Sequence, residues 1–268
     1  LVVYVLLFFL LVLFQDRLIY KPQVFDVEHL ITNSKHLGLL EWRDAQDQLI
    51  GWHAKPRHGA ASQRCLILHG NAGHALARYP YVEAIQALSH PADWEIFVLE
   101  YPGYGSRPGT PSETAFVEAA VSALDILKKN DARPVFILGE SLGSAVAAQT
   151  AAMRPDAVSG LLLITPFDSL RSIARSHFPA FPLWPFIRDR YDSIGALRSY
   201  DGPVVVLVAG KDEVVPPRLG RNLYESYHGP KKLLEQEAGH NTLDLSPLSG
   251  WWQEAFQFLK DQSVVTRM

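Results

Sequence analysis

Val135-Phe136-Ile137-Leu138-Gly139-Glu140-Ser141-Leu142-Gly143 is the stretch on which the fold turns. Its first four residues are apolar without polar alternation, the pattern of a short strand covered on both faces. Ser144 to Met153 follows, rich in alanine and closed by Arg154-Pro155, and reads as a helix. The serine of a G-x-S-x-G element therefore lies in a tight strand-to-helix turn. Such a turn strains the serine backbone, and the flanking glycines are needed because side chains there would collide with neighbouring elements. Ser141 is thereby pushed out at the end of a buried strand.

The surrounding sequence repeats the same unit. Cys65 to Leu68, Ile96 to Leu99, Leu161 to Ile164 and Val204 to Val208 are further apolar runs, and Leu233 to Gln236 is a plausible last strand. Tyr81 to Leu88 and Glu113 to Lys129, the latter opened by Pro111-Ser112, carry helical patterns between them. Strand and helix alternate, which predicts one open α/β sheet of parallel strands with helices on both faces. Right-handed crossovers then gather the strand C-terminal ends on one rim, where chemistry belongs. Upstream, Gly38 to Trp42 and Leu49 to His53 flank the polar turn Asp44-Ala45-Gln46-Asp47 and predict an antiparallel hairpin. No internal repeat or long linker divides the region from about residue 21 to 268, which is expected to be a single catalytic domain.

A serine hydroxyl is a weak nucleophile at neutral pH, so it needs a base to take its proton and a carboxylate to orient that base. Asp212 follows the Val204 to Val208 run, and His240 follows the last strand in Glu237-Ala238-Gly239-His240-Asn241. Their order, Ser141, Asp212, His240, is the one this type of sheet requires. Asp168 and Glu213 are rival acids; Asp168 also reads as part of a turn and helix cap. His69 and His74 precede the nucleophile and fit that order badly. For the oxyanion, the first N–H donor is Leu142, at the start of the helix after Ser141. The second comes from His69-Gly70-Asn71-Ala72-Gly73-His74, with Asn71 N–H preferred and Ala72 its nearest competitor. This loop lacks the Lys-Ser/Thr ending of a phosphate-binding loop.

Two segments break the rhythm. His177 to Phe186 holds four aromatics and three prolines, too many breaks for a helix or central strand. It lies in an insertion near residues 171–200 and reads either as a surface loop or as a lid whose Phe178, Phe181, Trp184 and Phe186 line a substrate pocket. At the other end, Leu1 to Phe14 is an unbroken apolar run. Residues 1–20 are expected to be part of an N-terminal membrane anchor, longer upstream, because no small-x-small cleavage site follows the run. A cleaved signal peptide and a buried core helix are the competing readings. With too few flanking charges, the side of the membrane stays open.

Composition narrows the function classes. At 268 residues with 48% hydrophobic and 20% charged residues, the chain is neither disordered nor low-complexity. Twenty-five basic against 28 acidic residues give a net charge of −3, so no positive field favours nucleic acid. The single cysteine, Cys65, can form neither an internal disulfide nor a cysteine metal cage.

Leu68-His69-Gly70-Asn71-Ala72-Gly73, Glu100-Tyr101-Pro102-Gly103-Tyr104-Gly105, Gly139-Glu140-Ser141-Leu142-Gly143, Asp212-Glu213-Val214-Val215-Pro216 and Gly239-His240-Asn241 together resemble the α/β-hydrolase superfamily. The apolar start followed by Leu18-Ile19-Tyr20-Lys21-Pro22 is similar, more narrowly, to small membrane-anchored serine hydrolases that include protein depalmitoylases. The resemblance implies an α/β-hydrolase fold with a mostly parallel eight-stranded sheet, Ser141, Asp212 and His240 as triad, and no cofactor or metal. The chain departs from the pattern at Ser144, where such families carry a second glycine, and at Asp168, where they carry a neutral residue. The expected function is cleavage of carboxylic esters through an acyl-enzyme, with a small-molecule acyl ester or thioester as substrate. A thioesterase acting on lipidated protein and a non-catalytic membrane-anchored scaffold are the alternatives.

Overall fold

The computed structural model describes residues 2–57, 59–88 and 94–265. One sheet contains β1 (Leu40–Arg43), β2 (Leu49–Ala54), β3 (Gln63–Leu68), β4 (Trp94–Leu99), β5 (Val135–Glu140), β6 (Gly160–Ile164), β7 (Val204–Ala209) and β8 (Lys231–Gln236). Their spatial order is β8-β7-β6-β5-β3-β4-β2-β1. The hairpin β1–β2 runs antiparallel at one edge and β2 is antiparallel to β4; β4, β3, β5, β6, β7 and β8 are parallel. The hairpin turn is held by the Asp44 carboxylate, which accepts from the N–H groups of Gln46 and Gln48. Because β4 lies on one side of β3 and β5 on the other, the chain reverses direction of travel at β3. Open sheets of this kind bind ligands at such a switch point, beyond the carboxyl ends of the strands.

The helices are α1 (Val2–Leu13), α2 (Gln15–Ile19), α3 (Val27–His36), α4 (Tyr79–Gln86), α5 (Glu113–Lys128), α6 (Leu142–Met153), α7 (Leu170–His177), α8 (Ser193–Leu197), α9 (Pro217–Ser226) and α10 (Gly250–Val265). Alternate residues of one strand serve two cores. Leu161 and Leu163 pack with Phe116, Leu124 and Val146 on the α5/α6 face, whereas Leu162 and Ile164 pack with Ile85, Trp252 and Phe256 on the α4/α10 face. Each such side chain taken from water contributes about 1.5–3 kcal/mol, so the doubly covered strands are the stable frame on which the rim is built. Helix α5 starts where the sequence signals it, with the Ser112 hydroxyl accepting from Ala115 N–H at 3.1 Å.

The N-terminal run corrects an expectation. It is expected to anchor the chain in a membrane; the helix described there, α1, has 12 residues. Among the described residues no helix is long and apolar enough to cross a membrane. The helix stops before Gln15-Asp16-Arg17, and part of its apolar surface covers the insertion instead. Tyr4 stacks on Phe181 with centroids 4.8 Å apart and donates to Ala180 O at 2.7 Å, and Phe8 meets Phe186 edge-on at 5.3 Å. Gln15 is buried and fastens the turn after α1: its amide donates to Val12 O and Phe186 O, and its carbonyl accepts from Arg188 N–H at 2.9 Å. Val2, Val3, Phe9 and Leu13 on the outer side are exposed.

Candidate active site

Ser141 occupies the turn between β5 and α6 at φ 51° and ψ −115°, a conformation costly for a residue with a side chain. Two glycines make it possible. A Cβ at Gly139 would lie 2.4 Å from Gly143 O, and one at Gly143 would lie 2.2 Å from Leu68 O. Ser141 N–H donates to Ile164 O of the adjacent strand at 2.8 Å, which ties the strained residue to the sheet. Ser144, where a second glycine is expected, sits inside the elbow without disturbing it: its hydroxyl donates to Ser141 O at 2.5 Å.

Asp212 and His240 come together on the same rim from the loops after β7 and β8. The buried Asp212 carboxylate accepts from Val214 N–H at 2.8 Å and Val215 N–H at 2.7 Å through Oδ1, leaving Oδ2 for His240 Nδ1 at 2.7 Å. A carboxylate can only accept here, so Nδ1 carries the proton and Nε2 is the free ring nitrogen. The other candidate acids are engaged or exposed. Asp168 is buried, but its Oδ2 accepts from Asn222 at 2.7 Å and its Oδ1 from Ser169; Glu213 is exposed. His69 is wholly buried, with Nδ1 2.8 Å from Gly70 O and Nε2 3.4 Å from Glu100 Oε1. His74 is half-buried, and burial pulls its imidazole below the ordinary value.

Asn71 and Leu142 flank Ser141 in the wall of a cavity of about 410 Å³. Among the described residues, neither backbone N–H donates to a protein acceptor. The loop carrying Asn71 approaches closely, since a Cβ at Gly70 would lie 3.5 Å from Ser141 Cβ. Apart from these groups the cavity is lined chiefly by apolar side chains, among them Phe167, Ile173, Phe178, Leu183, Phe186 and Val215. Of the four aromatics singled out in the sequence, Phe178 and Phe186 line it. Phe181 instead stacks on Tyr4, and Trp184 lies under the Arg175 guanidinium, 5.0 Å from the ring centre. A smaller cavity of about 130 Å³ lies on the histidine side, bounded by Arg78, Glu140, Thr165, His240 and Asn241 among others.

Two components escape a reading of the sequence. Leu11, Val12, Leu18 and Ile19 form one wall of the large cavity, although they precede the sheet. His177, at the end of α7, bonds through Nε2 to Val214 O at 2.8 Å, joining the insertion to the loop that carries Asp212. Both depend on contacts between distant segments, for which no local motif exists.

The sequence model described as alpha/beta hydrolase fold matches residues 65–186. The chain is similar to the uncharacterized protein Rv2307c of Mycobacterium tuberculosis, at 33% identity over 86% of this chain and 82% of that one. It is also similar to the lysophosphatidylserine lipase ABHD12 of Macaca fascicularis, at 33% identity over 68% of this chain; the matched region spans 50% of that protein. Among solved structures, the Pyrococcus furiosus esterase Pf2001 superposes with a TM-score of 0.66 at 16% identity, over 91% of this chain and 98% of that one.

Proposed function

The chain belongs to the α/β-hydrolase family, and on that premise we propose that it is a serine hydrolase cleaving carboxylic esters through an acyl-enzyme on Ser141. The observation that carries the reading is the 2.7 Å His240–Asp212 pair on the rim that also holds Ser141 in its strained elbow. His240 Nε2 takes the Ser141 proton as Oγ attacks the acyl carbonyl, then returns it to the departing alkoxide. Asp212 keeps the imidazole in the required tautomer and stabilises the imidazolium. Among the described residues no hydrogen bond joins Ser141 Oγ to His240; contacts of this kind close when substrate binds. The negative charge that develops on the carbonyl oxygen is received by the Asn71 and Leu142 amides, donors already fixed in place. Water activated by His240 then releases the acid.

The cavities suit the two halves of an ester. The large apolar one reaches Ser141 and accommodates the acyl group, whereas the smaller and more polar one reaches His240, where the leaving alcohol is protonated. The lipase ABHD12 and the esterase Pf2001 named above support the reaction class. The test is hydrolysis of p-nitrophenyl esters together with fluorophosphonate labelling. Ser141→Ala is expected to lose at least 10³-fold in kcat and to take up no label. Retention of hydrolysis by that variant, or labelling elsewhere, overturns the assignment.

A further inference from the structure

Asn71 is bonded on both sides to parts of the chain remote from it in sequence. Its side-chain Nδ2 donates to Ile19 O at 2.8 Å. Its backbone carbonyl accepts from Lys21 N–H at 2.9 Å and from the Tyr104 hydroxyl at 2.7 Å. The pairing continues along the loop: Lys21 and Pro22 lie in parallel register with Ala72 and Gly73, and Gln23 N–H donates to Gly73 O at 3.1 Å. The segment is secured in turn, because Gly105 N–H donates to Gln23 O and Phe25 N–H to Gly105 O. In contrast, the N–H of Asn71, a residue that lines the cavity with Ser141, has no partner among the described residues.

We propose that the stretch Ile19–Gln23 is the positioning element of the oxyanion site and that the Asn71 side chain is its latch. This rests on the serine-hydrolase reading above. An amide stabilises a developing oxyanion fully only when it is aimed before the charge appears, since any reorientation during the reaction is subtracted from its effect. A connecting loop on its own is mobile. Here Asn71 is tied at two points: its side-chain Nδ2 to Ile19 and its backbone carbonyl to Lys21 and Tyr104. The remaining N–H is thereby held toward Ser141, and the N-terminal segment becomes part of the catalytic apparatus although it supplies no reacting group. Tyr104 is a second positioning residue, packed with its ring 5.2 Å from His69 and 5.6 Å from Phe116.

Asn71→Ala tests the latch, because it keeps the backbone N–H and removes only the bond to Ile19. The expected result with a short ester is a fall in kcat of about tenfold to a hundredfold, KM within about twofold, and a boronic acid transition-state analogue weakened in step with kcat. A purely structural role would lower the melting temperature without moving that kcat-to-KM split. Tyr104→Phe keeps the ring packing and removes one bond to the Asn71 carbonyl; it is expected to show the same split at a severalfold loss, and it decides the matter should Asn71→Ala fail to fold. Unchanged kcat and boronate affinity in both variants overturns the latch while leaving the hydrolase intact. A raised KM at constant kcat overturns it too, by making Asn71 a substrate contact. A parent chain that neither hydrolyses esters nor labels at Ser141 removes the hydrolase reading itself, and the latch with it.

Discussion

His240–Asp212 and His53–Glu95 are both close histidine–carboxylate pairs, at 2.7 Å and 3.0 Å, and they sit at opposite ends of the sheet. Their surroundings differ in every respect that matters to chemistry. Among the described residues Asp212 is shared with two backbone amides and no other side chain, His240 borders a cavity, and a serine in a strained elbow lies on the same rim. Glu95 is instead saturated by Arg64 at 2.8 Å and Arg133 at 2.9 Å, while His53 is stacked flat on Phe97 with centroids 4.4 Å apart. The first pair has one free ring nitrogen at the strand C-terminal ends; the second is a cross-strand clamp between β2 and β4. A histidine beside a carboxylate is thus no site by itself, and position on the sheet decides its use.

Breaking each pair separates the two roles. Asp212→Asn leaves the packing nearly intact but favours the wrong His240 tautomer, and kcat is expected to fall by about 10⁴. Glu95→Gln is expected to leave kcat/KM within about twofold. Steady-state kinetics on one ester measures both, and equal losses would abolish the distinction.

An intermediate effect is expected where the N-terminal segment meets the rim. Val12→Trp narrows the wall of the acyl cavity, and overfilling such a space costs about 1–3 kcal/mol. A long chain must pass that wall and a short one need not. The ratio of kcat/KM for p-nitrophenyl dodecanoate over acetate is therefore expected to fall about tenfold. A ratio that stays constant would show that acyl groups do not reach Val12.

The contrast also explains what could be read in advance. The sheet was legible because its strands are apolar on both faces, so Leu161 to Ile164 or Val204 to Val208 allow few other roles. The pairing of Asp212 with His240 was legible because each follows a strand, Asp212 a fully buried one and His240 the last, and the order after Ser141 is constrained. The contacts of Val2 to Leu13 were not: Tyr4 and Phe8 meet a proline-broken aromatic segment some 170 residues later, and apolar composition alone does not name such a partner. For the same reason, the direction of Phe181 and Trp184 was hidden, since three prolines in ten residues leave no periodicity to assign faces. The motif marks the Asn71 amide, but the grip of the side chain on Ile19 is a long-range contact that leaves no trace in it.

The smallest expected effect lies at the far end and is one of stability. Burial pushes the Glu95 carboxyl up, but the hydrogen bond and charge of Arg64, with His53 and Arg133 behind it, outweigh burial and hold it below the ordinary glutamate value. A carboxyl lowered on folding adds stability above its unfolded value and loses it as pH falls through the folded one. His53 acts in the same sense. Burial, only partly opposed by Glu95, pulls its imidazole down, so acid also has to charge a group that the fold prefers neutral. Glu95→Gln is expected to cost about 1–2 kcal/mol at neutral pH, less than a fully isolated buried pair because Arg64 keeps Asp131 at 2.8 Å. The melting temperatures of variant and parent should then converge as pH drops below the glutamate range, where the parent's carboxyl is neutral as well. A gap that persists in acid would mean that Glu95 holds the strands by packing rather than by charge.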